Sequence, residues 1–142
     1  MLKRILLVVT PSGETLAGVR FVAETAVAAD AQIVALNIVD TSIAKHLKSI
    51  TGAGESETIV KLEQDGWRYL YDVEDACKAL GAKIVLHQDE GFPEARISIA
   101  AKRFKADLVV VPHSRAGGYT QSRSERFIMT LIDRLECPVL VI

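Results

Sequence analysis

Five short runs dense in valine, isoleucine and leucine, each separated from the next by a longer stretch with a different period, constrain this chain more than any other feature. The first, Ile5-Leu6-Leu7-Val8-Val9, is continuously apolar, as a strand covered on both faces must be. Comparable runs fall at residues 33–39, 83–87, 107–111 and 139–142. Between them, apolar residues recur every three or four positions, the period of a helix with one buried face. Leu16, Val19, Val22, Ala23, Ala26 and Val27 mark a helix over residues 14–29. Ile59, Leu62, Gly66, Tyr69, Val73, Cys77 and Leu80 mark a long one opening at Ser56-Glu57 and stopping at Gly81, with Trp67 on another side. Ile97, Ala100, Ala101 and Phe104 mark a third over 94–104, after a Gly91-Phe92-Pro93 turn. Phe127, Ile128, Leu131, Ile132 and Leu135 mark the last, over 123–135. The connection after residue 39 has no clear period and carries two glycines, with a short helix at 42–48.

Strict alternation of strand and helix implies parallel pairing through right-handed crossovers, hence an α/β three-layer, doubly wound sandwich. Five strands suggest the order 3-2-1-4-5, in which the winding reverses between strands 1 and 4. A binding crevice is expected at the carboxyl ends of those two strands, formed by residues 10–13 and 112–118. The 142 residues, 49% hydrophobic and 25% charged, suit one domain spanning 1–142 with one core. Seventeen basic residues balance eighteen acidic ones, so no charge excess would hold the protein on nucleic acid or an anionic membrane. No apolar run approaches the roughly 20 residues that span a bilayer, and the start reads directly into a strand, so a cytoplasmic location is expected. Cys77 and Cys137 are expected to be two buried thiols rather than a metal or redox site.

Several segments together resemble the universal stress protein family: the first strand, Ala35-Leu36-Asn37-Ile38-Val39-Asp40, Gly91-Phe92-Pro93-Glu94, Ala106-Asp107-Leu108-Val109-Val110-Val111, and the closing Cys137-Pro138-Val139-Leu140-Val141-Ile142. The resemblance runs in order over the whole chain. It implies a flavodoxin-like, adenine nucleotide alpha hydrolase-like fold and a role in the stress response. Members that bind ATP resemble one another in a G-x2-G-x9-G-[ST] motif between the fourth strand and the last helix, whose glycines let backbone amides approach phosphates at a helix N-terminus. By resemblance, with Cys137-Pro138 as the anchor, Arg115 and Gly118 stand for the first two glycines and Glu125-Arg126 for the closing pair, with six residues rather than nine between Gly118 and Glu125, and of these positions Gly118 alone matches. Binders also carry an aspartate where this chain has Thr10, although Ser12 fits the pattern. ATP or AMP is therefore disfavoured by Thr10, Arg115 and Glu125, and no cofactor is required. By resemblance, Val39 is the position that would meet an adenine.

Two readings of residues 114–126 stand side by side. Ser122-Arg123-Ser124-Glu125 has the S-x-x-E form of a capping box, which would occupy the donors a phosphate needs. Alternatively Arg115, Arg123 and Arg126, with Ser114, Thr120, Ser122 and Ser124, form an anion pocket of another design. His113-Ser114 lacks the G-x-S-x-G elbow of a nucleophile, so no catalytic residue is assigned. His46, in the polar connection, and His87, at a strand end, are expected to be solvated or capping, as is the pair Asp89-Glu90 in a turn; no metal site is expected. Residues 49–54 lack the spacing of a phosphate loop.

The candidate ligand residues are thus Thr10, Ser12, Val39, His113, Arg115, Gly118, Ser122, Ser124 and Arg126. Val139, Leu140, Val141 and Ile142 form an apolar edge strand that would be hazardous unpaired. Family members pair their last strands across a two-fold axis, and a homodimer through these four residues is expected. The leading expectation is a non-enzymatic stress-response protein acting as a dimer with an unidentified protein partner. The alternative is an ATP- or AMP-binding switch with a modified crevice.

Overall fold

A computed structural model of the protein describes residues 1–11, 16–113 and 119–142, with residues 16 and 119–124 described by backbone alone. The elements run β1 (Arg4–Val8), α1 (Leu16–Ala29), β2 (Gln32–Asp40), α2 (Thr41–Thr51), α3 (Glu55–Ala79), β3 (Lys83–Gly91), α4 (Pro93–Arg103), β4 (Leu108–Val111), α5 (Tyr119–Arg134) and β5 (Val139–Val141). The sheet order is β3-β2-β1-β4-β5 and every pairing is parallel, as the alternation predicts.

Strand side chains alternate between two cores. Ile5, Leu7, Val9, Ile33, Ala35 and Val110 meet α1 and α3 through Val22, Ala26, Leu70, Val73 and Cys77. Leu6, Val8, Val34, Leu36, Val109 and Val111 meet α4 and α5 through Ile97, Ala100, Ile128 and Leu131. This two-sided burial is why the central strands read as unbroken apolar runs. The short helix expected at 42–48 is α2, which is longer. Asp40 caps it by accepting from the Ser42 amide at 2.9 Å, and Gly52, at φ 73°, closes it by donating to the Lys48 carbonyl at 3.0 Å.

Several expectations are corrected. Val27 and Ile132 are 47% and 50% exposed, because each lies at the flank of its helix's apolar stripe. Trp67 is half-buried against the same core as the stripe of α3, whose apolar face is broad enough to include it. β3 continues to Gly91, so His87, Asp89 and Glu90 lie within a strand, paired with Leu36, Ile38 and Val39. An edge strand leaves one side open to water, which tolerates this polar run. His46 is exposed, in keeping with the solvated role expected of it, and lies on α2. α5 runs from Tyr119, so the backbone places Ser122 inside the helix rather than at its N-terminus, where a capping box would put it. Cys77 is buried and its pKa is pushed up to about 11 by desolvation, but Cys137 is only half-buried.

Candidate functional site

At the carboxyl ends of the strands, β1 runs out before β2 does. Just past β1, the Val9 amide donates to the Leu36 carbonyl at 2.8 Å. The Val9 carbonyl then receives the Asn37 side chain, whose Nδ2 donates to it at 3.0 Å. Asn37 is the one polar residue fully buried among the described residues, and its Oδ1 accepts from Gln88 Nε2 at 3.2 Å. Gln88 Nε2 also donates to the Glu63 carbonyl of α3 at 2.9 Å. One amide pair thus ties β1, β2, β3 and α3 together at the floor of the crevice, with its buried polar atoms satisfied.

α3 can lie this close because its contact residue is Gly66. A Cβ there would meet Asn37 Oδ1 at 2.1 Å and Gln88 Nε2 at 2.7 Å. Beside this contact is a cavity of about 100 Å³ between β1, β2, α2 and α3. Pro11, Ile38, Ile43, Leu62 and Tyr69 give it apolar walls, and Asp40 and Asp65 supply carboxylates. Neither acid is idle: Asp40 caps α2, and Asp65 accepts from Arg68 at 3.0 Å. Among the described residues, no lysine, arginine or histidine lines this cavity.

The candidate residues distribute unevenly around it. Thr10 is half-buried at the end of β1. Val39 is 2% exposed, so its side chain is covered, while its neighbours Ile38 and Asp40 face the cavity. His113 is half-buried, and its backbone amide donates to the Ile142 carbonyl at 2.9 Å, extending the β4–β5 ladder. Arg126 is exposed on α5, and its carbonyl accepts from Thr130 Oγ1 at 2.9 Å. Ser122 and Ser124 are placed on α5 by backbone alone; Ser12, Arg115 and Gly118 lie outside the described residues. Sequence reasoning did not single out Asn37, Asp65 or Gln88, nor the closeness of Gly66. The available signal was a glycine on the inner face of a long helix, where propensity alone disfavours it.

The groups whose titration the fold displaces lie elsewhere. Asp107 is held below the usual carboxylate range by the backbone amides of Lys3 and Arg4, at 2.8 and 3.0 Å. Asp30 is lowered by its bond to Lys83, and Cys137 is raised by burial. Among the described residues, no three His, Cys, Asp or Glu side chains converge as a cation site, and no helix is long and apolar enough to cross a membrane.

Comparison with known proteins agrees with the architecture. No curated protein matches the sequence. Among solved structures, the universal stress protein UspA from Lactobacillus plantarum is 20% identical, with a TM-score of 0.78 over 99% of this chain and 97% of that one. A universal stress protein in complex with cAMP is 18% identical, with a TM-score of 0.70 over 99% and 96%. An Arabidopsis thaliana family protein with AMP bound is 16% identical, with a TM-score of 0.64 over 99% and 90%. At these identities the likeness establishes the fold. The family model for the universal stress proteins matches residues 1–142, and the chain belongs to that family.

Proposed function

We propose that this protein is a non-enzymatic universal stress protein without the family's usual ATP grip, acting in the cytoplasm as a homodimer that engages a protein partner. The observation that carries this reading is the small cavity at the ends of β1 and β2, which among the described residues presents two carboxylates and no cation. A phosphate beside them would be repelled by about 1–4 kcal/mol per unit pair near a surface. The dimer reading is supported by β5, which is bonded to β4 on one side and forms the sheet edge on the other. Its Val141 is 39% exposed.

A calorimetric titration with ATP and AMP, with and without magnesium, tests the crevice; the expected result is no saturable heat at millimolar nucleotide.

A second reading, a nucleotide-binding switch, is favoured by the relatives solved with AMP and with cAMP. The apolar walls of Ile38, Leu62 and Tyr69 suit a planar ring, with phosphates directed outward to Arg126. Saturable AMP binding that is lost in Arg126→Ala would establish this second reading and sink the first.

A further inference from the structure

The opposite pole of the sheet, where α4 and α5 end and β4 and β5 begin, holds a larger hollow of about 330 Å³. Ala101, Ala106 and Leu135 make its apolar floor, and Lys102, Lys105 and Arg134 stand around it. Among the described residues, none of these three cations has a carboxylate within ion-pair distance, whereas Lys48, Lys78 and Lys83 are each paired with an acid. Glu136, the acid of the lining, pairs with none of them.

Cations at helix C-termini have an ordinary explanation, because the helix dipole places negative charge there. The magnitudes show that it does not suffice. Three cations less Glu136 leave +2, and two helix ends of roughly −0.5 each leave about +1. This surplus sits on a chain whose net charge is −1. Lys105 lies beyond the end of α4 at φ 53°, a position that glycine or asparagine would take with less strain. A neighbouring basal hollow shares Lys105 and adds Lys3, Arg4 and Lys83 against Asp30 and Asp107, extending positive potential that would steer an anion inward.

We infer that the hollow between α4 and α5 is a binding site for a small organic anion, a phosphate or carboxylate carrying a short apolar body. Its size is at the lower end of the roughly 300–1,000 Å³ typical of small-molecule sites. The Arg134 fork suits two oxygens of the acid, with Lys102 and Lys105 adding point charges, while the floor accepts the apolar part. Burial keeps the Cys137 thiol protonated on the wall, so it adds no opposing charge.

Phenyl phosphate and inorganic phosphate, each titrated into the full chain and followed by amide NMR, test the inference. Phenyl phosphate is expected to shift the amides of Ala101, Leu135 and Cys137 with a Kd of about 1 mM or tighter. Inorganic phosphate, which cannot use the floor, should bind about tenfold more weakly. Lys102→Gln and Arg134→Gln alter exposed side chains and should fold normally; each should weaken phenyl phosphate about tenfold. Arg126→Ala, about two turns of α5 before Arg134 and outside the lining of the hollow, should change nothing. Absence of shifts, shifts centred on the crevice, equal affinity for the two probes, or unaltered binding by both glutamine variants would overturn it.

Discussion

At position 66 a side chain of any size would enter space already held by Asn37 and Gln88. Alanine normally improves a helix interior over glycine by about 1 kcal/mol, but overpacking and a broken buried hydrogen bond each cost about 1–3 kcal/mol, so Gly66→Ala should lose about 1–5 kcal/mol. Urea unfolding checks the sign; a stabilised Gly66→Ala would contradict the close contact. Asp107 makes a pH prediction. Its folded pKa is lowered by the amides of Lys3 and Arg4, so its contribution to stability is present above the unfolded value of about 3.9 and is lost as pH falls through the lower folded value. The urea midpoint of Asp107→Asn should therefore lie below that of the wild type at neutral pH and converge with it in acid. A constant gap across that range would assign the effect to something other than ionisation.

Among the elements, α5 separates two accounts of the same residues. A capping serine replaced by alanine costs about 0.5–2 kcal/mol, whereas a serine inside a helix gives way to alanine at no cost or a gain of a few tenths. Because α5 begins at Tyr119, Ser122→Ala should fall in the second class; a loss near 1 kcal/mol in thermal or urea unfolding would restore the cap. β5 makes the other prediction at this scale. A lysine at the exposed edge position Val141 should oppose pairing between copies. Sedimentation should show a wild-type dimer at micromolar concentration and a Val141→Lys monomer. A wild type that sediments as a monomer would remove the dimer from the account.

For the whole molecule, topology was legible because two-sided burial writes itself into the sequence as continuous runs such as Ile5 to Val9, and crossover helices as three-and-four spacing. Boundaries were legible where a special residue enforced them, as Gly81 at φ 83° does after α3, and not where an edge strand such as β3 exchanged apolar for polar residues without ending. The polar contact beside the ends of β1 and β2 was not legible. It joins Asn37, Gly66 and Gln88, which are far apart in sequence, and no single segment announces that they meet. The broken glycine motif was visible at once, because a motif is local.

Thermal unfolding with and without millimolar ATP, AMP and magnesium tests the central claim most directly. A nucleotide present at 100 times its Kd would add about 2.7 kcal/mol of apparent stability, a rise of about 8 °C for a domain of this size. With carboxylates and, among the described residues, no cation lining the cavity, no shift beyond that of a salt control is predicted. A nucleotide-specific rise of several degrees would contradict the account and make the crevice a nucleotide site.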